Sequence, residues 1–188
     1  MTELDRLRAT AHPLRLQILS LVTASALSAA EVGRELRVSQ AAASYHLRVL
    51  ERAGLVRVVE VVRLRGGEAK RYRHESSAEP FRLDDAVPAP SSSAAGRPAD
   101  QDSAPEERAL YVAALAAELQ RRSAARVEGP QVTTDAELWV DADTWRRVVL
   151  MVGQASALLH ARAQPPRSPG TGPVSMTAAL FPLKRPRP

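Results

Sequence analysis

The chain has 188 residues, 45% of them hydrophobic, 4% aromatic and none cysteine. That suits one domain or two small ones with modest cores, and it excludes disulfides, thiolate metal sites and cysteine nucleophiles. The formal net charge of +5 is uneven: residues 1–73 carry 13 Lys+Arg against 7 Asp+Glu, whereas residues 74–188 carry 13 against 14, so the basic excess belongs to one N-terminal surface.

Of the 26 cations, 24 are arginine, which suits bidentate phosphate contacts, although a GC-rich genome produces the same bias. No apolar run approaches membrane-spanning length, and Met1 to Arg6 lacks the character of a signal peptide, so a cytoplasmic protein is expected. Neither a G-x-S-x-G elbow, a G-x-x-x-x-G-K-[ST] loop nor a His/carboxylate cluster of catalytic spacing occurs, and no enzyme is expected.

In chain order, Pro13 suits the first turn of a helix, and Leu14, Ile18, Leu21 and Val22 give that helix a buried face. Ser28-Ala29-Ala30-Glu31 fits the S-x-x-E capping box and starts a second helix, with Val32 and Leu36 inward. Arg37-Val38-Ser39 is then a short turn into a third. There Ser39 is the cap, Ala43, Leu47 and Leu50 fall at i, i+4 and i+7, and Gly54 stands where helices end in a left-handed residue.

Two helices so tightly joined make a helix-turn-helix, whose second member enters the major groove while the first supports it. Gln40, Ala41, Ser44, Tyr45 and Arg48 are left facing outward. Small side chains there let backbone approach a groove, and the polar ones can bond base edges or phosphates. An ordinary amphipathic surface helix has the same stripe, so the weight rests on the flanking elements.

Leu55 to Arg63 is rich in β-branched residues and predicts a strand, Gly66-Gly67 signals a hairpin, and the return run alternates Lys70, Tyr72 and His74 against Arg71 and Arg73. This hairpin is a wing. Arg63, Arg65, Lys70, Arg71 and Arg73 cluster where cations reach phosphates or the minor groove beside a bound helix. Charges on a solvated hairpin also suppress edge pairing, but their position directly after a helix-turn-helix favours DNA.

His12-Pro13-Leu14-Arg15-Leu16-Gln17-Ile18-Leu19, the S-Q-x-x-x-S-x-H-L pattern from Ser39 to Leu47, and Ala53-Gly54-Leu55-Val56 agree in order and spacing with one family. Over roughly its first 75 residues the chain resembles the ArsR/SmtB-type winged-helix regulators. The resemblance implies a homodimeric, sequence-specific regulator on a near-palindromic operator, with Ser39, Gln40, Ala41, Ser44, Tyr45, His46 and Arg48 at the DNA. For His46 a phosphate and the neighbouring helix are both open as partners. Ser28 and Ala30 stand where thiolate-metal members carry paired cysteines, and His160 has no carboxylate at i+3 or i+4. No metal and no cofactor are therefore expected.

Glu79 to Pro105 is rich in Pro, Ser, Ala and Asp, which divides the chain into a winged helix-turn-helix domain (1–80), a linker (81–105), an accessory region (106–181) and a Pro/Arg-rich tail (182–188). Ser103-Ala104-Pro105-Glu106 repeats the capping box and opens a helix expected to run to Gly129-Pro130, carrying Leu110, Tyr111, Ala114, Leu115, Ala117, Glu118 and Leu119. In winged-helix regulators such helices serve the dimer interface; a core helix is the alternative.

Ala136 to Val140 is expected as a strand. Asp141 caps a helix over Thr144 to Ala163 with the stripe Trp145, Val148, Val149, Val152 and Leu159, and Val174 to Phe181 returns as a second strand. Tyr111, Trp139, Trp145, Met151 and Phe181 suit a small core or a ligand pocket.

The expected class is α+β, mainly helical: a winged helix-turn-helix plus a small C-terminal α/β accessory domain. The expected function is a DNA-binding transcription regulator, a homodimeric repressor, with an effector or protein partner at the C-terminal region. A winged helix used as a protein-interaction module is the alternative.

Overall fold

The computed structural model describes residues 3–64, 67–74 and 104–184. Their elements are α1 (Glu3–Thr10), α2 (Pro13–Ala24), β1 (Leu27–Ser28), α3 (Ala29–Leu36), α4 (Gln40–Arg52), β2 (Val56–Leu64), β3 (Gly67–His74), α5 (Ala104–Ser123) and α6 (Ala142–Arg162). The class is α+β: a winged helix-turn-helix with further helices.

The expected caps of α2, α3 and α4 form, while Ser103, the expected cap before Ala104, lies outside the described residues. Pro13 opens α2, and the His12 ring supplies the cap, with Nδ1 accepting from the Leu14 N–H at 3.1 Å. Glu31 N–H donates to Ser28 Oγ at 3.3 Å while Ser28 N–H donates to Glu31 Oε2 at 2.7 Å, which completes the reciprocal box on α3. Ala42 N–H donates to Ser39 Oγ at 3.1 Å, and Gly54 ends the α4 region at φ 57°. Arg37 also lies in the left-handed region, at φ 56°, and closes α3 without a glycine.

The core gathers on these helices. Ile18, Val22, Val32, Ala43, Leu47 and Leu50 are fully buried, joined by Leu55, Val56 and Tyr72 from the sheet side. Each large aliphatic so enclosed contributes about 1.5–3 kcal/mol. On α2, Leu19 is buried while Leu14 is only partly so.

The sheet is antiparallel in the order β1-β3-β2, with Tyr72 of β3 opposite both Leu27 and Val58 and an irregularity between Val58 and Glu60. Neither β1 nor α1 is foreseen from the sequence: β1 is two residues long and shows no periodicity, and α1 spans only eight residues. Arg65 and Gly66 at the wing tip lie outside the described residues, as do linker residues 81–103 and tail residues 185–188.

Three expectations for the C-terminal half need correction. Helix α5 ends at Ser123 rather than near Gly129, because every residue from Ser123 to Thr144 is exposed and no packing sustains further turns. Ala136–Val140 and Val174–Phe181 form no strands: among the described residues no backbone hydrogen bond joins them, and Leu138, Trp139, Val174 and Phe181 are all more than half exposed. A strand without a ladder partner leaves its backbone to water, so a β-prone composition alone does not make one. Tyr111, Trp139, Trp145, Met151 and Phe181 thus form no common core. Helix α6 does form on its Asp141 cap, whose Oδ1 accepts from Thr144 N–H at 2.8 Å, but Gly153 is its only buried residue.

Helix α5 packs on α1 and α2 through polar anchors. Arg8 Nε donates to Glu107 at 2.9 Å. The buried Glu118 carboxylate accepts from Gln17 Nε2 at 2.6 Å and from Arg121 at 2.8 Å, with Arg122 3.4 Å away. Burial pushes the Glu118 carboxyl upward, but hydrogen bonds from Arg121 and Gln17 and the two arginine charges outweigh it and hold its pKa below the ordinary value. The anchor is therefore complete above the usual carboxylate range and is lost as pH falls through the lowered pKa. Glu118→Ala is expected to destabilise the chain by about 1 kcal/mol in urea unfolding at neutral pH. That deficit should shrink in acid; a deficit unchanged with pH would show that the carboxylate charge is not what anchors α5.

Candidate nucleic-acid interface

The angle between α3 and α4 rests on Gly33. A Cβ at this position would stand 2.9 Å from the Val38 carbonyl oxygen and 3.4 Å from the Gln40 nitrogen. The turn therefore crosses directly over Gly33. Nothing in the periodicity pointed to this role; the available signal was a glycine inside an otherwise regular helix.

On α4, Ser39, Gln40, Ala41 and Arg48 are exposed, Tyr45 is 56% exposed and Ser44 is half-buried. Ala41, Tyr45 and Arg48 share the side opposite the buried Ala43, Leu47 and Leu50, while Ser39 and Gln40 are exposed at the N-terminal end. Arg48 Nε–H donates to the Ser44 carbonyl at 3.3 Å, and Arg52 Nε–H donates to the Arg48 carbonyl at 3.3 Å. Both guanidiniums thus run along the helix with their terminal amines open. Arg52 was not anticipated, although it lies one turn beyond Arg48.

His46 turns the other way. Its ring lies 4.9 Å from that of His12 and 5.2 Å from Tyr45, at the seam between α2 and α4. Burial, then the charges of His12 and Arg15, hold its pKa below the ordinary histidine value. Burial and Arg15 do the same to His12. Because His12 Nδ1 accepts the Leu14 N–H, its ring proton sits on Nε2. Of the two partners open to His46, the seam with the neighbouring helix is the one seen.

The wing cations divide into two kinds. Lys70 and Arg73 are exposed and make no ion pair within the described residues. Arg63 is 90% exposed and only 3.6 Å from Glu68. Arg71, by contrast, is one-third exposed and lies between Glu60 at 3.2 Å and Glu31 at 3.6 Å, which ties the wing to the start of α3. Arg65 lies outside the described residues. On the opposite strand face Tyr72 is buried, and His74 Nδ1 lies 3.1 Å from Thr23 Oγ1 of α2.

Among the described residues no group of three or more potential metal ligands occurs, and no helix is long and apolar enough to cross a membrane. A family model described as a helix-turn-helix domain matches residues 10–59, from the end of α1 into β2. No curated protein matches the chain significantly. The matched stretch contains the Gly33 crossing and the exposed face of α4, so this part of the chain is a helix-turn-helix domain of the DNA-binding kind.

Proposed function

We propose that the chain is a transcription regulator of the ArsR/SmtB kind: a cytoplasmic homodimeric repressor that reads a near-palindromic operator through α4 and holds the backbone with its wing. The observation that carries this reading is the exposed polar face Gln40, Ala41, Tyr45 and Arg48, flanked by Lys70 and Arg73, which make no ion pair within the described residues. Two copies would set their α4 helices in successive major grooves about 34 Å apart. Leu110, Val112 and Leu119 on α5 and Met151 and Leu158 on α6 are each more than half exposed, which supplies apolar area for a second copy to cover.

The test is binding by fluorescence anisotropy to random duplex and to an operator obtained by genome-wide footprinting, across a salt series. Gln40→Ala is expected to weaken operator binding about tenfold while leaving random DNA unchanged. Lys70→Ala and Arg73→Ala should weaken both DNAs and each reduce the salt slope by about 1. Arg71→Ala should change that slope less, since its charge is already matched by Glu31 and Glu60. Affinity that does not fall as salt rises would mean that phosphates are not contacted, and the protein-interaction reading would replace this one.

A further inference from the structure

The DNA-binding reading makes no use of a cleft of about 320 Å³ between α3, β1 and the segment that follows α6. Its outer edge is a clasp in which the Arg167 guanidinium donates to both Glu35 oxygens, at 2.8 and 3.1 Å. The second carboxylate of the wall, Glu31, is also engaged: Oε2 accepts from Ser28 N–H and Oγ–H, and Oε1 faces Arg71. Both carboxylates of the wall are therefore engaged.

Its donors are not. Ser25 Oγ and Arg71 Nε, both from residues that line the cleft, are shut off from solvent and have no hydrogen-bond partner among the described residues. Arg34 at the mouth is exposed and makes no ion pair within the described residues. Buried donors without acceptors are rare in folded proteins, because the lost hydration is not replaced. Two at the wall of one cleft, beside the exposed Arg34 whose nearest opposite charge is Glu31, call for an anionic acceptor. The rest of the wall is Leu27, Pro165 and Pro166, which suits a hydrocarbon body. Two carboxylates so near disfavour a multiply charged anion such as phosphate, whereas one negative charge on an apolar body meets every wall.

We propose that this cleft binds a small organic carboxylate, held by Ser25, Arg34 and Arg71 with its apolar body against Leu27, Pro165 and Pro166. The volume is at the small end of ligand sites. The carboxylate reaches Ser25 by rotation of that side chain and reaches Arg71 by taking over its 3.6 Å contact to Glu31. Arg71 belongs to the wing and Glu31 caps α3, so binding also biases the DNA-reading elements. That consequence rests on the DNA-binding reading; the binding itself does not.

The experiment titrates benzoate into the full chain without DNA and follows the Arg71 Nε–Hε and Ser25 amide signals by NMR. A saturable shift of both is expected. Benzyl alcohol, which has the ring without the charge, and acetate, which has the charge without the ring, should each bind at least about fivefold more weakly. Ser25→Ala and Arg34→Gln should each raise the dissociation constant for benzoate about fivefold or more. Shifts that do not saturate, benzyl alcohol binding as well as benzoate, or variants that bind like the parent would each overturn the assignment. With binding established, benzoate that leaves anisotropy on the operator unchanged would remove only the coupling to DNA.

Discussion

The substitution Gly33→Val is expected to cost about 3 kcal/mol of stability and to abolish selective operator binding at temperatures where the chain is still folded. The atoms that a side chain at position 33 meets are the Val38 carbonyl and the Gln40 amide nitrogen, both backbone, so no flexible group can swing aside. The turn has to lift from α3, and because Gln40 opens α4, that lift tilts the whole reading face. Gly33→Ala separates this account from simple helix propensity. Propensity alone predicts a gain of about 1 kcal/mol from alanine inside a helix, whereas the 2.9 Å approach predicts a net loss. Urea unfolding of the two variants measures the balance, and an alanine variant more stable than the parent would sink the close-approach argument. Anisotropy on operator and random DNA then reports the tilt, since selectivity should fall further than binding to random duplex.

The elements most legible in the sequence were those whose signals are local. A serine cap answers to its own N–H groups three residues on, and an i, i+4, i+7 stripe defines one face whatever packs on it, so α3, α4, the Gly54 stop and the wing strands emerge near their expected bounds. What escaped depends on contacts distant in sequence. Strand β1 exists only because Leu27 and Ser28 pair with Tyr72 and Arg71. Glu118 stands in the sequence among the apolar residues of an alanine-rich helix, and the partner that satisfies its buried carboxylate, Gln17, lies 101 residues away.

The candidate interface divides in the same way. The outward face of α4 follows from periodicity, but alternation along β3 placed Arg71 among the wing cations without revealing that Glu31 and Glu60 engage it. The expected strands at 136–140 and 174–181 show the converse limit: β-branched and aromatic composition states a preference, and only a partner edge satisfies the backbone.

Acidification between the ordinary histidine pKa and about pH 4 is expected to remove roughly 2–3 kcal/mol of stability through His74 alone. Burial, followed by the nearby His160, lowers the His74 pKa from 6.5 to about 4. The unfolded chain then binds a proton that the folded chain refuses. Stability is accordingly full above pH 6.5, declines as the pH falls toward 4, and from there loses no more to this group. His12 and His46 act with the same sign, since their values are also lowered. His74→Leu keeps an apolar body of similar size without a titrating group, so melting curves of the variant should depend less on pH over this window while retaining a residual slope from the other two. An undiminished slope would assign the acid sensitivity elsewhere. The location of the cost matters for function. His74 is the last residue of β3 and meets Thr23 of α2 at 3.1 Å, so its protonation loosens the base of the wing from the helix that supplies much of the core. Amide protection factors, corrected for the intrinsic pH dependence of exchange, should therefore fall further in β3 at pH 5 than in α4, whose Ala43, Leu47 and Leu50 are fully buried.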